Sequence, residues 1–449
     1  MNMNFRRLPA LFLALWFASV GTPAFAQQGP MLIRDAEIES IIRGYADPIF
    51  NAAGIDPAAV SIYIVADNQL NAFVAGGQNL FLYTGLLMTA ESPNQLIGVI
   101  AHETGHMAGG HIARLQQKLD NASAEMILAY ILGIAAGLAT GDGAATAVVT
   151  GAGQSMITRN LLSYTRTQES AADQAALSYL RATGQSSQGL AEFLDMMRQK
   201  EQLFGADYDP YLRSHPLTPE RMDIAERDAV ESPYGDVPDS PESIAQFDRM
   251  RAKLIGFIRE LPDVLRDYPD NLQTVPARYA RAIAYYRANQ LDRAFENLDG
   301  LLAEFPDDPY FIELKGQILY EHGQLDEALP FYERSVQLAP HQPLLLLGLS
   351  QVLIGLETPE DDKRAVSTLA RVVQAEPGNY PAWRLLSVAY GRNGEMGMAA
   401  LAMAEASASR GQYGDARQNA ARAQDLLPKG SPSWLRAQDI LLELTPEDG

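Results

Sequence analysis

Hydrophobic and polar positions alternate with two different periods along the chain. Between residues 60 and 83, three short runs rich in β-branched and aromatic residues predict strands at 60–66, 71–75 and 79–83. Most other apolar residues recur every three or four positions, which is typical of helices. The pattern predicts a mainly helical protein with a small antiparallel sheet near its N-terminus.

The helix that follows this sheet has a clear start signal. Ser92 fits an N-cap, Pro93 fits the first helical position, and Gln95 is placed as in a capping box. The apolar run 96–100 comes next. We therefore expect a helix that is buried along its first turns.

From residue 276 onward the sequence repeats itself every 34 residues. Pro306 and Pro340 are one period apart, and residues 290–294 match residues 324–328. This period is typical of tetratricopeptide repeats, which stack into solenoids and bind peptides or partner domains on a concave face. We predict an α-solenoid of about four repeats plus extra helices.

The first 26 residues have the pattern of a secretory signal sequence. Arg6 and Arg7 precede a short apolar run, and Ala24-Phe25-Ala26 forms a small-residue cleavage site. A membrane anchor is the alternative, but the run is short for a span. We expect export to a bacterial periplasm, with a cleaved signal. The predicted domains are a signal at 1–26, a first domain at 27–255, a linker at 256–275 and a repeat domain at 276–449.

A second apolar region, residues 126–153, is interrupted by Gly141-Asp142-Gly143. Neither half reaches the roughly 20 residues that span a bilayer. A buried hairpin, a lid and a membrane-touching hairpin all fit this segment. We expect no transmembrane span, with peripheral membrane contact left open.

Composition narrows the range of partners. The formal net charge is −20, which argues against nucleic acid and anionic lipid as main partners. The chain has no cysteine, so disulfides and a cysteine-linked lipid anchor are excluded.

The strongest candidate chemistry lies in His102-Glu103-Thr104-Gly105-His106. Positions i and i+4 of a helix share a face, so these two imidazoles can bind one tetrahedral zinc ion. Glu103 is then placed to act on the metal-bound water. The alternative is a core helix with two incidental histidines. The chain has only six histidines, so a chance pair with this spacing is the weaker interpretation.

A catalytic zinc also needs a third protein ligand and an open position for water. His111 lies five residues after His106 and would point away from the shared face, so we interpret it as structural or supporting. Glu169 is the better candidate, because it is four residues before Asp173 on a predicted helix. Asp173 could orient a ligand imidazole. By spacing alone, such an acidic pair would more often be solvated surface charge.

Together these motifs resemble those of the M48 family of gluzincin metallopeptidases. The similarity covers about residues 33–250. It includes the motif at 102–106, Glu169-x-x-Ala172-Asp173, Asn71-Ala72-Phe73, Gly76-Gly77, Gly85-Leu86-Leu87, and Ser214-His215-Pro216 with Arg221. The resemblance implies a gluzincin-type α+β metallopeptidase domain ahead of the repeats.

The resemblance also implies roles for individual residues. One Zn²⁺ per chain would be bound by His102, His106 and Glu169, with Glu103 as general base. His215 would approach the metal as a fourth ligand and hold the enzyme latent; contact with substrate or with the transition-state oxyanion is the alternative. Arg221 would serve the same pocket through an ion pair or by binding a substrate carbonyl.

An exposed sheet edge can bind an extended peptide through backbone hydrogen bonds. We therefore expect the second predicted strand to hold substrate, although it could equally do no more than pack the helix. Its residues are Asn71, Ala72, Phe73, Val74 and Ala75.

We predict a periplasmic zinc endopeptidase. The resemblance implies that its substrates are misfolded or misassembled outer-membrane β-barrel proteins, and that the repeats recruit these clients or the barrel-assembly machinery. The main alternative is a repeat-based chaperone or scaffold with a rarely used peptidase. A minor one is a peptidase of short peptides that needs no recruitment.

Overall fold

A computed structural model describes residues 31–111, 154–204 and 210–444 of the chain. The predicted signal sequence at 1–26 and the apolar segment at 126–153 lie outside these ranges. Within them, no helix combines the length and the apolar character needed to cross a bilayer.

A four-stranded sheet lies in the N-terminal part, with the strand order β1-β2-β4-β3. The strands are β1 (Leu32–Ile33), β2 (Ser61–Val65), β3 (Ala72–Ala75) and β4 (Asn79–Tyr83). β1 is antiparallel to β2, β2 is parallel to β4, and β3 is antiparallel to β4. One face of the sheet, which includes Ala72 and Val74, packs into the main hydrophobic core.

The mainly helical fold class is confirmed, but the sheet is mixed and not antiparallel as predicted. The β3–β4 hairpin turns where expected, at Gly76 and Gly77, whose φ angles of 55° and 93° favour glycine. β4 and not β3 lies beside β2. Because the chain reverses direction twice between these neighbours, they run parallel. The hairpin thereby leaves β3 at the edge of the sheet.

Nine helices of the described N-terminal ranges surround the sheet and lead to the repeats. They are α1 (Ala36–Ala52), α2 (Thr84–Thr89), α3 (Pro93–Ala108), α4 (Gln154–Ala182), α5 (Gln188–Phe204), α6 (Pro210–Ser214), α7 (Pro219–Glu231), α8 (Pro241–Ile258) and α9 (Leu261–Asp267). α3 is central, because it packs against α1, α4, α5 and β3. Every residue of α3 from Pro93 to His106 is buried.

The start of α3 confirms the predicted capping. Ser92 accepts a hydrogen bond from the Gln95 backbone at 3.1 Å, and the Gln95 side chain accepts one from the Glu91 backbone at 2.9 Å. These bonds satisfy backbone donors that the first turn of a helix leaves open. The cap therefore fixes where the helix begins, and with it the position of the histidines two turns later.

The rest of the described chain is a succession of helices. They are α10 (Val275–Arg287), α11 (Leu291–Glu304), α12 (Pro309–Glu321), α13 (Leu325–Leu338), α14 (Pro343–Gly355), α15 (Pro359–Ala375), α16 (Tyr380–Arg392), α17 (Met396–Ser409), α18 (Tyr413–Leu426) and α19 (Pro432–Glu443). The 34-residue period is visible in the turns: Asn289, Gly323 and Glu357 all have positive φ, at 56°, 77° and 56°.

The N-terminal part and the repeats share a hydrophobic core. α8 packs along α10, and Ala280 and Ala284 of α10 belong to the same cluster of buried residues as the sheet. A Cβ on Gly256 of α8 would lie 2.9 Å from the Ala280 carbonyl oxygen. The segment predicted as a linker, 256–275, contains the end of α8 and all of α9.

Candidate metal centre

Four potential metal ligands converge from three elements. His102 and His106 lie on α3, Glu169 lies on α4, and His215 lies just after α6. One ligand atom from each lies within 4.8 Å of the others, and all four residues are buried. The structure thus brings together the two motif histidines, Glu169 and the loop residue His215.

The donor atoms are spaced as the corners of a tetrahedral site. The two histidine Nε2 atoms are 3.1 Å apart, Glu169 Oε2 lies 3.3 Å from His102 Nε2, and the other carboxylate oxygen, Oε1, lies 3.2 Å from His106 Nε2. A tetrahedral zinc ion with bonds of about 2.0–2.1 Å has edges of roughly 3.3 Å between its ligands. The three side chains therefore fit one zinc-sized ion.

The electrostatics of the two histidines suit a cation. Burial opposes protonation of His102, but its hydrogen bond to Asp173 and the charges of Asp173 and Glu169 raise its pKa to about 10. The acids that favour a proton on this ring also favour a metal ion in its place. Burial lowers the pKa of His106 to about 4, so at neutral pH this imidazole is uncharged and can offer a lone pair.

Close helix packing is needed to bring Glu169 to the histidines. A Cβ on Gly105 would lie 2.7 Å from the carbonyl oxygen of Ala172, closer than Cβ atoms normally approach. The glycine inside the histidine motif therefore allows α3 and α4 to pack with their backbones almost in contact.

Asp173 and Arg221 hold the ligands from behind. Asp173 Oδ1 lies 2.8 Å from His102 Nδ1, and Arg221 reaches Asp173 through two nitrogens at 2.5 and 2.9 Å. Arg221 also lies 3.1 Å from Glu169 Oε2. Burial opposes ionisation of Asp173, but these bonds lower its pKa to about 2. Of the two arrangements expected for Arg221, the structure has the ion pair.

His215 lies at the fourth corner of the site. Its Nδ1 is 3.1 Å from Glu169 Oε2 and 3.3 Å from His102 Nε2, and its Nε2 is 3.4 Å from a Glu103 oxygen. The Tyr211 ring stacks on it, with centroids 4.5 Å apart. The sequence reasoning missed Tyr211, whose one signal was its position four residues before His215.

Glu103 is a buried acid that faces the ligand cluster. It is 1% exposed, and neither carboxylate oxygen has a hydrogen-bond partner among the described residues. Burial raises its pKa, although His215 and His102 oppose the shift. A buried carboxylate without donors is costly unless another group meets it. Water or substrate at the centre of the cluster would be such a group.

His111 supports His106. The Nδ1 atoms of the two rings are 3.0 Å apart, so His111 lies on the far side of the His106 ring from Glu169. It is not among the converging ligand atoms, which agrees with its interpretation as a structural or supporting residue.

The strand expected to hold substrate is the sheet edge next to α3. The backbone oxygen of Asn71 accepts a hydrogen bond from Tyr83, so alternation along an antiparallel pair turns the backbone groups of Ala72 and Val74 outward. Phe73 and Ala75 project to the opposite face, in a small cluster with Tyr83. The side-chain oxygen of Asn71 is buried without a partner in the described ranges.

Comparison with known proteins agrees with this geometry. The family described as peptidase family M48 matches residues 32–228, and a tetratricopeptide repeat family matches residues 279–343. The β-barrel assembly-enhancing protease of Yersinia pestis is 26% identical over 359 residues, which cover 78% of this chain and 71% of that protein. The protein of that name in Escherichia coli (strain K12) is 24% identical over 368 residues, covering 80% and 73%.

A solved structure also resembles part of the chain. It is titled "Crystal structure of YrrB: a TPR protein with an unusual peptide-binding site" and is 15% identical, covering 50% of this chain and 97% of its own, with a TM-score of 0.29. The family matches and the relatives agree on the kind of protein: the chain is a metallopeptidase, with a peptidase family M48 domain at residues 32–228 followed by tetratricopeptide repeats.

Proposed function

We propose that the protein is a zinc-dependent endopeptidase of the periplasm that degrades misfolded or misassembled outer-membrane proteins. The observation that carries the catalytic part is the close approach of His102, His106 and Glu169 beside a buried Glu103, whose carboxylate accepts no hydrogen bond from a described residue. Two imidazoles and one carboxylate are the ligand types that favour catalytic zinc.

Glu103 moves the protons of the reaction. When bound, zinc supplies Lewis-acid activation of the scissile carbonyl and of a water molecule. Glu103 accepts a proton from that water and passes it to the leaving amine nitrogen. The raised pKa of Glu103 suits this exchange, because a carboxylate with a raised pKa is a stronger base and still a competent acid.

The edge strand orients the substrate. An extended polypeptide alongside β3 would pair with the outward backbone groups of Ala72 and Val74, and the buried Asn71 amide would mark one end of that groove. Backbone pairing of this kind selects unfolded segments with little dependence on their sequence. This suits an enzyme that recognises a folding state more than a particular sequence.

His215 holds the enzyme in a latent state. Its Nδ1 has the spacing of a fourth ligand, which would take the position that the reactive water needs. The residue follows the short helix α6, so a local movement can withdraw it. The alternative is that His215 binds the substrate or the oxyanion while remaining near Glu103.

The relatives suggest the biological setting. Two proteins named β-barrel assembly-enhancing protease align with most of this chain, which supports clients from outer-membrane assembly and recruitment through the repeats. The expected signal sequence supports a periplasmic location. The net charge of −20 gives no support to nucleic acid as a partner.

The deciding experiment is degradation of an unfolded model protein by the zinc-loaded chain without its predicted signal sequence. We expect Glu103→Gln to abolish cleavage, since the base is lost while all ligands remain. We expect His215→Ala to raise cleavage if it frees the water position. Glu226→Gln, an exposed glutamate of α7, is the matched control and should cleave like the wild type.

The results separate the proposal from its rival. If neither wild type nor His215→Ala shows cleavage that depends on Glu103, the peptidase proposal fails. The repeat-based chaperone or scaffold function would then be tested by asking whether Glu103→Gln supports outer-membrane assembly as well as the wild type does.

A further inference from the structure

A second cavity lies where the sheet meets the repeats. β1 and the start of α1 form one wall, and α12 and α14 form the other; the cavity is open to solvent on one side and has a volume of about 820 Å³. Because β1 and β3 are the two outer strands of the sheet, this cavity is at the opposite edge from β3, the strand that packs against α3. Its size is that of a site for several side chains of a ligand.

The cavity has an apolar wall and an acidic wall. Half-buried apolar side chains line it from both parts of the chain, namely Ile33, Phe257, Ile258, Leu344 and Leu347. Four acids also line it: Asp35, Asp67, Glu313 and Glu321. Among its lining residues the one cation is Arg34, whose charge is already met by Glu39 and Glu376, both at 2.7 Å.

Two of these acids, Asp67 and Glu313, have no salt bridge with a described residue, and Asp67 accepts a hydrogen bond from the Gln69 backbone at 2.8 Å. Asp35 accepts a salt bridge from Lys253 at 2.8 Å, and Glu321 accepts hydrogen bonds from Tyr286 and Gln317. No described residue donates a hydrogen bond to Glu313. Burial raises the pKa of this carboxyl to about 7, with Lys253 opposing the shift and Asp35 adding to it. A cation entering the cavity would find a half-buried carboxylate without a salt-bridge partner.

We propose that this cavity binds an extended segment of a protein client, through a lysine or arginine side chain that meets Glu313 while apolar neighbours pack against Leu344 and Leu347. The charge of the lining and the apolar wall together select a basic side chain within an apolar stretch. The inference rests on the proposed function, since it gives the repeats a defined site for holding clients away from the catalytic edge.

The test is peptide binding measured by fluorescence anisotropy. The protein is the chain without its predicted signal sequence, carrying Glu103→Gln so that nothing is cleaved. The probe is a blocked nine-residue peptide with a central lysine between leucines, and its twin carries norleucine in place of lysine. We expect the norleucine peptide to bind about tenfold more weakly, because a charge-assisted hydrogen bond is lost.

Variants locate the binding. Glu313→Gln should bring the lysine peptide to the affinity of its twin, whereas Glu360→Gln, an exposed glutamate of α15, should change nothing. Equal affinity for both peptides in the unaltered cavity, or equal effects of the two variants, would overturn the proposal. So would a dimer seen by sedimentation that Glu313→Gln dissociates, since the cavity would then bind a second copy.

These outcomes do not depend on the activity of the enzyme. Binding is measured without cleavage. If the cavity does not prefer the lysine peptide, the peptidase proposal is unaffected; if the enzyme shows no cleavage, the peptide affinities still test the cavity. The peptide pair also probes the unaltered cavity, so a variant that folds poorly does not remove the test.

Discussion

At the scale of single residues, the metal centre is a chain of contacts that ends in an arginine. Arg221 neutralises two buried carboxylates, Asp173 and Glu169, and Asp173 in turn orients His102. A guanidinium with its planar fork suits this task, because it can bind one carboxylate with two nitrogens and touch a second. Arg221 thereby offsets part of the negative charge of Asp173 and Glu169 even without a metal ion.

We predict that Asp173→Asn weakens zinc binding by about 10- to 100-fold, the usual effect of losing the group that orients a ligand imidazole. The amide keeps the shape of the carboxylate but removes one of the two charge partners of Arg221 and leaves Glu169 as the other. Competition with a chromophoric chelator measures the affinity. Asp223→Asn, an exposed position on α7, should bind zinc like the wild type; equal affinities for both variants would contradict this role.

Spacing along the chain pointed to His102 and His106, because i, i+4 pairs on a helix lie on one face whatever the rest of the fold does. Glu169 became a candidate only beside that motif, since its own spacing from Asp173 is a weak signal. It was not enough for Arg221 or Tyr211. The partner of Arg221 is 48 residues away, and only the packing of α7 beside α4 brings them together. A contact between residues so far apart in the sequence has no local pattern that would predict it.

At the scale of elements, the site depends on how closely α3 approaches α4. Gly105 is the point of contact, and Gly98 of α3 meets α5 in a similar way, with a Cβ placed 3.0 Å from Leu190 atoms. Both glycines lie in a helix interior, where glycine is unfavourable on its own. The packing they permit outweighs that local cost.

We expect Gly105→Ala to destabilise the protein by about 1–3 kcal/mol, as overpacking does, and to weaken zinc binding because Glu169 moves away from the histidines. Gly44→Ala on α1 is the matched control. A Cβ there would have nothing within 4 Å, so this change should stabilise by about 0.5–1 kcal/mol. Thermal unfolding of both variants, with and without zinc, measures the difference; a harmless Gly105→Ala would rule out this contact.

The order of the strands could not be predicted from their sequences. The hairpin at Gly76 and Gly77 was recognisable because only its own turn defines it. Which of its two strands lies beside β2 depends on how the hairpin packs on α3, and this is decided by contacts between distant residues. The position of β3 at the edge therefore came from the structure.

At the scale of the whole molecule, the start of α1 joins the peptidase part to the repeats. Glu37 is 1% exposed and is surrounded by Lys253 and Arg249 of α8 and by the hydroxyl of Tyr279 of α10. Arg249 also pairs with Asp308, just before α12, at 2.6 Å. The body of α1 packs against α3, so one helix contacts both the repeat interface and the metal helix.

We predict that Lys253→Met lowers the free energy of unfolding by about 3–5 kcal/mol, because removing one partner of a buried ion pair strands the other. Asp35 and Glu37 lie 2.8 and 3.2 Å from its amine. Calorimetry should show one lowered transition, since the two parts share a core. Lys363→Met, at an exposed position on α15, should unfold like the wild type. If Lys253→Met also unfolds like the wild type, the ion pairs of Lys253 do not stabilise the interface.

The 34-residue period foretold the helices of the repeats, but not how they meet the peptidase part. The contact between α8 and α10 joins one helix outside the repeat pattern to one inside it. Neither helix carries a sequence signal for its partner, since both are ordinary amphipathic helices. The shared core is therefore a property of the assembled fold.

The placement of β1 and β3 at opposite edges sets a minimum length for any chain that engages both sites. Three strand spacings of about 4.8 Å separate the two edges by roughly 14 Å, and an extended chain gains about 3.3 Å per residue. About four or five unfolded residues are therefore the minimum that must link the two parts of a client that binds at both sheet edges. If the proposed clients are outer-membrane barrels, a closed barrel has no free strand segment of that length, whereas an unclosed one does, and only the unclosed one could occupy both sites.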